Sequence, residues 1–199
     1  MKAVGDIFMR IKVTIFMVTI ALLLSACGQK GIQNPLDYPV NEFTAIDQHA
    51  LPFERKDLDG KIWVADFIFT NCADVCIPMT ANMMKLQKMV KDGNLENVEF
   101  VSFSVDPTVD SPEVLKAYAD QYELDTSNWT FLTGYSQEFI ENFARETFKT
   151  LVKKPKEGDQ VIHQTYIYLV GPDGKIKKYY SGLNDVPFDE MLNDMESLQ

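Results

Sequence analysis

Cysteine, histidine and positive charge are all scarce in this chain. Three cysteines cannot build the disulfide framework of a small secreted scaffold. Two histidines leave little choice of imidazole for a metal site. Lys and Arg number 19 against 29 Asp and Glu, giving a net charge of −10. Phosphate backbones are bound by clustered cations, so nucleic acid is not an expected partner. The sequence also lacks internal repeats and internal linkers. The apolar run Val13 to Leu24 falls short of the roughly 20 residues a comfortable membrane span needs.

What precedes and follows that run gives it a meaning. Lys2, Arg10 and Lys12 stand before it, the layout of an export signal. The start Met9-Arg10-Ile11-Lys12 makes the more usual signal, leaving Met1 to Phe8 as an upstream extension. The run ends in Leu24-Ser25-Ala26-Cys27-Gly28, which resembles the lipobox of bacterial lipoproteins, whose cysteine takes a diacylglycerol and becomes the mature N-terminus. Residues 1–26 are therefore expected to be a lipoprotein signal peptide, with Cys27 lipidated. A signal anchor with an unmodified Cys27 is the alternative. Residues 27–42, polar and carrying Pro35 and Pro39, read as a tether. The expected location is the extracytoplasmic face of the bacterial cell membrane. Residues 1–26 carry three cations and one anion, so the remaining 173 residues carry a net charge of −12. With no basic patch to bind anionic lipid, the lipid would supply the membrane attachment. An acidic surface suits a basic protein partner or metal cations, and also serves solubility.

Once Cys27 is set aside, two cysteines remain, both in Cys72-Ala73-Asp74-Val75-Cys76. Three residues separate them, where an ordinary redox dithiol has two. On a helical turn, sulfurs at i and i+4 share a face. Such a pair can close a disulfide or chelate one soft metal ion. As a staple it would close a very short loop and stabilise little, which points to chemistry over architecture.

The remaining pattern places this pair in a fold. Ile62 to Phe69 is an apolar run that reads as a buried strand, and a helix follows from Ile77 to Val90. Met79, Met83 and Leu86 form a stripe on that helix, and methionines at this spacing read as core. Val98 to Val105 is a second strand. Asp110-Ser111-Pro112-Glu113 starts a helix running to about Tyr122. Trp129 to Thr133 is a strand, and Ser136 to Phe148 a helix with Ser136 as N-cap. Lys149 to Gln164 is polar and basic and reads as an exposed loop. Thr165–Val170 and Lys175–Ser181 form a hairpin across Gly171-Pro172-Asp173-Gly174, and Pro187 to Leu198 closes the chain as a helix. Strands alternating with helices indicate α/β architecture. A cysteine motif after an early strand and a terminal hairpin-plus-helix match the thioredoxin-like arrangement. We therefore expect a single thioredoxin-like domain over 43–199, with a central mixed sheet flanked by helices, an N-terminal hairpin and an inserted helix.

In that fold the loop before the hairpin strand faces the cysteine turn. Ordinary thioredoxins put a cis-proline there, whereas this chain has His163 and no proline. Imidazole and thiolate together suit copper or zinc. His49, near the N-terminal hairpin, reads as a surface residue. Asp74, between the thiols, either tunes the site or is a solvated turn residue. Asp106 ends a strand at the sheet edge where α/β folds place their sites. It could lie behind the ligands or serve the turn.

Three blocks carry a family resemblance: Phe69-Thr70-Asn71-Cys72-Ala73-Asp74-Val75-Cys76, Ser104-Val105-Asp106-Pro107, and His163-Gln164-Thr165-Tyr166-Ile167-Tyr168-Leu169-Val170-Gly171-Pro172-Asp173-Gly174-Lys175. Together they resemble the signature blocks of the Sco/SenC family. The resemblance covers essentially all of residues 43–199. It implies a membrane-anchored domain that binds one copper ion, as Cu(I) or Cu(II), through Cys72, Cys76 and His163. The implied role is maturation of the dinuclear copper (CuA) centre of cytochrome c oxidase, with the CuA-bearing subunit as partner and the chain acting as a monomer. The chain departs from the family where a proline often follows each cysteine. Ala73 and Ile77 stand there, with Pro78 one place later. Two other uses of the same thiols remain open. One is a thiol–disulfide oxidoreductase that reduces the CuA-ligand cysteines, with Cys72 attacking. The other is a peroxidase, which the absence of a separate resolving cysteine disfavours.

Overall fold

A computed structural model describes residues 31–72 and 74–199. The expected signal peptide, the lipidation at Cys27 and the start of the tether lie outside the described residues. In chain order the elements begin with strands β1 (Tyr38–Pro39), β2 (Thr44–Asp47) and β3 (Pro52–Glu54), then a 3-10 turn over Arg55–Leu58. Strand β4 (Ile62–Ile68), helix α1 (Cys76–Asp92), strand β5 (Val98–Ser104), helix α2 (Pro112–Gln121) and strand β6 (Trp129–Thr133) follow. Helix α3 (Gln137–Glu146), strands β7 (Val152–Lys153), β8 (Ile162–His163), β9 (Tyr166–Val170) and β10 (Lys175–Ser181), and helix α4 (Phe188–Glu196) complete the chain.

Eight strands form one mixed sheet in the order β1-β10-β9-β4-β5-β6-β2-β3. β4, β5 and β6 run parallel, because each joins the next through a helical crossover. β9 pairs antiparallel with β4, and β10 returns beside it as the other half of the hairpin. Every residue of β4 is buried. On one face Trp63, Ala65 and Phe67 belong to a core with Ile140, Phe143 and Phe148. On the other, Val64 and Ile68 join Met83, Leu86, Met191 and Met195. Burial on both faces explains why this segment reads as nearly continuous apolar sequence.

The helices are placed by two different means. Ser111 and Ser136 cap α2 and α3 by accepting the amides of Val114 and Phe139. α1 has no side-chain cap at Val75. Burying Met79, Met83, Leu86 and Val90 contributes about 1.5–3 kcal/mol each. That outweighs a missing cap, which costs about 1 kcal/mol.

Two expectations need correction. The tether reading fails in the last part of 27–42. Tyr38 and Pro39 pair with Ile176 and Lys175. The Leu36 and Val40 amides donate to the carbonyls of Lys177 and Gly174, and Val40 is buried. The ordered body thus starts ahead of Phe43. Pro35 and Pro39 suggested a linker, but proline is also at home on a sheet edge. The second correction concerns Lys149 to Gln164, which is not wholly an exposed loop. β7 and β8 pair antiparallel in a small second sheet, and Val152 and Val161 are buried in the main core. Strands of two residues are too short to show alternation, and the polar run from Lys153 to Gln160 conceals the two valines.

Candidate metal centre

The site forms where β4 ends and α1 begins. After Ile68 the chain leaves the sheet, and Thr70 is held by the Asp110 carboxylate. That carboxylate accepts the Thr70 amide at 3.2 Å and its hydroxyl at 2.6 Å. Cys72 lies in the following turn, half-buried, and Cys76 is the first residue of α1, 1% exposed. The Cys76 amide donates to Cys72 Sγ at 3.3 Å. The sulfur thereby takes a helix N-terminal amide that Val75 cannot cap.

This arrangement splits the two thiols. The Cys76 thiol, as a donor to the other sulfur, pulls Cys72 down to about 3; burial opposes the shift, and His163 and the backbone amides of Asp74 and Cys76 reinforce it. Cys76 is pushed far up, first by the bond to Cys72 and then by burial. Cys72 is thus biased toward thiolate and Cys76 toward thiol.

His163 arrives from β8. Its Nδ1 is 3.0 Å from the Gln164 carbonyl oxygen, and its Nε2 is 3.7 Å from Cys76 Sγ. A carbonyl only accepts, so Nδ1 carries a proton, and Nε2 is the ring nitrogen turned toward the sulfurs. The Phe69 ring packs edge-on against the imidazole at 5.8 Å. The ligand atoms of Cys72, Cys76 and His163 all lie within 4.8 Å of one another; no other group of three His, Cys, Asp or Glu among the described residues is so placed. Metal–sulfur and metal–nitrogen bonds of about 2.3 and 2.0 Å put sulfur and nitrogen about 3.7 Å apart around a trigonal ion. The donor set and its spacing thus fit one soft metal ion.

The other expected residues fall outside this cluster. Asp74 is exposed, and it is its backbone amide that reaches Cys72. Asp106 is buried, but its carboxylate holds Lys154 and Thr108. His49 is exposed, and its backbone amide is held by Asp47. Met79 and Met83 are buried, as their spacing indicates. Asp66 has no place in the sequence reading. It is fully buried in β4, where Ser102 donates to its Oδ1 at 2.5 Å and Trp129 Nε1 donates to Ser102 at 2.9 Å. Its Oδ2 has no hydrogen-bond partner among the described residues. Burial lifts its carboxyl to about 6 against the pull of Ser102. The one signal for it was a charge inside an otherwise apolar run.

A mixed sheet with a Cys/Cys/His cluster at its β4–α1 turn defines a thioredoxin-like protein with a metal-binding type of site. The SCO1/SenC family model matches residues 33–198, and the chain belongs to that family. A SCO1 protein homolog of Bacillus subtilis is 51% identical over 178 residues, covering 89% of this chain and 92% of the relative. The solved structure of BsSco, a member of the Sco family of cytochrome c oxidase assembly proteins in which a disulfide switch was identified, is 50% identical. It superposes with a TM-score of 0.79 over 85% of this chain and 98% of its own. ScoI of Bradyrhizobium japonicum, solved with copper bound, is 25% identical, with a TM-score of 0.65 over 81% of this chain and 99% of its own.

Proposed function

We propose that Cys72, Cys76 and His163 bind one copper ion, which the chain delivers to the CuA-bearing subunit of cytochrome c oxidase. The observation that carries this reading is the meeting of the Cys72, Cys76 and His163 ligand atoms within 4.8 Å of one another, with His163 Nε2 3.7 Å from Cys76 Sγ. Two thiolates and an imidazole suit Cu(I), and Cu(II) can add an oxygen ligand. Cys72 is biased toward thiolate and Cys76 toward thiol, so the proton that loading the site displaces comes chiefly from Cys76. Copper-bound ScoI, of the same fold, supports copper over zinc.

The test is metal analysis of protein purified reduced and without oxygen. One copper per chain is expected, with a strong sulfur-to-copper charge-transfer band for Cu(II). Cys72→Ala, Cys76→Ala and His163→Ala should each weaken binding by at least about a hundredfold, since each removes one of three donors. His163→Ala with parental affinity and spectrum overturns the assignment.

Membrane attachment through Cys27 belongs to the same proposal. Among the described residues no helix is long and apolar enough to cross a membrane. Cys27→Ala is expected to move the protein into the soluble fraction. Firm membrane association of that variant would favour a signal anchor.

One observation favours a second reading. A half-buried thiolate beside a buried thiol is the asymmetry a dithiol reductase uses, with Cys72 attacking and Cys76 resolving. Such an enzyme needs no third donor, so His163 separates the two readings.

A further inference from the structure

The cysteines and the histidine reach the site on separate stretches of chain, and both are fixed to one short turn. Val109 and Asp110 donate their amides to the Asp106 carbonyl, closing the turn that follows β5. At one end of this turn the Asp110 carboxylate holds Thr70, two residues ahead of Cys72, and is itself held by the Ser104 hydroxyl at 2.6 Å. At the other end Asp106 Oδ1 accepts Lys154 Nζ at 2.6 Å and Thr108 Oγ1 at 2.8 Å, and Lys154 Nζ also donates to Thr108 Oγ1 at 2.9 Å. Lys154 directly follows β7, the strand that pairs with His163.

Other contacts also hold this arm. Lys153 pairs with Glu141 of α3 at 2.7 Å, and the Lys154 amide donates to the same carboxylate. Asn71 meets Asp159, and Gln160 donates to the Asn71 carbonyl. Buried Val152 and Val161 hold the arm to the core, and Glu141, its side chain 15% exposed, adds to this. Lys153, Asp159 and Gln160, by contrast, are exposed, and contacts made by exposed side chains contribute little. The Lys154–Asp106 pair differs. The Asp106 side chain is 3% exposed and that of Lys154 24%. Loss of Lys154 leaves a buried carboxylate without its counter-ion, which is costly in a way that loss of a surface pair is not.

We infer that Lys154 is a positioning residue for the metal centre: through Asp106 it fixes the β7–β8 arm to the turn that also holds the cysteines, and so sets the distance from His163 to the sulfurs. This rests on the proposed ligand role of His163. Removing partners that orient metal ligands typically lowers affinity 10–100-fold.

The experiment compares copper loss to a Cu(I) chelator in the parent, Lys154→Met, Lys154→Arg, His163→Ala and the double variant Lys154→Met/His163→Ala. Lys154→Met should lose copper roughly tenfold faster than the parent, and Lys154→Arg should stay within about threefold of it. In the His163→Ala background Lys154→Met should add less than about twofold, because its effect runs through the imidazole. Amide hydrogen exchange of the metal-free protein supplies a second readout. Residues 152–163 should exchange about tenfold faster in Lys154→Met, with β4 and β5 unchanged. Equal acceleration of copper loss in both backgrounds would mean general damage and overturn the inference. So would parental behaviour of Lys154→Met in copper loss or in exchange. If His163→Ala itself keeps copper as the parent does, the ligand assignment fails, and the inference fails with it as a statement about metal. The exchange result then still tells whether Lys154 holds the arm.

Discussion

Cells without this protein are expected to lose cytochrome c oxidase of the CuA type, while oxidases without CuA keep their activity. Copper added to the medium should restore part of the loss, by mass action on the empty CuA site. The decisive strain carries His163→Ala. Copper delivery from the proposed three-donor site needs the imidazole as a ligand. Dithiol exchange needs only Cys72 and Cys76. The variant should therefore leave oxidase activity near the level of the deletion. Full complementation by His163→Ala, with rescue of the deletion by added reductant and not by copper, would replace copper delivery with the reductase reading and leave the fold untouched.

In the reduced, metal-free protein, Cys72 should react with iodoacetamide at a rate nearly independent of pH. Held at about 3 by the Cys76 thiol, it is fully thiolate from pH 5 to pH 8. An ordinary thiol with pKa about 8.5 gains roughly several hundredfold in thiolate over that range. Cys76, buried and holding the proton, should remain unalkylated throughout. Peptide mass spectrometry of samples quenched across the pH series reads both sulfurs at once. A Cys72 rate that climbs about tenfold per pH unit would show that the shared proton does not sit on Cys76.

Much of this architecture could be read from sequence, for identifiable reasons. Elements with several buried positions announced themselves: Ile62–Phe69, Val98–Val105 and the Met79/Met83/Leu86 stripe each bury enough apolar surface to impose a period. The cysteine pair and His163 were legible because the chain holds so few of either residue. What escaped was short or polar. β1, β7 and β8 contain two residues each, and no periodicity shows over two positions. Lys154 belongs to a run of lysines that reads as solvated surface. Its partner lies 48 residues away, and only the fold brings the two together. Asp66 escaped for a different reason. A single carboxylate in a buried strand contradicts the apolar rule, and the side chains that accommodate it, Ser102 and behind it Trp129, come from the next two strands of the sheet.

The sheet ends on β1 at one side and β3 at the other. These strands have two and three residues, and each contains a proline, Pro39 or Pro52. A proline presents no amide to an incoming strand, and so short an edge offers almost no ladder to extend. Where copies of the chain meet, such edges keep neighbouring sheets from fusing into one at these strands. They also limit how any other protein can engage the domain. At those two strands recognition falls to side chains, because neither β1 nor β3 offers a partner's strand a ladder of any length.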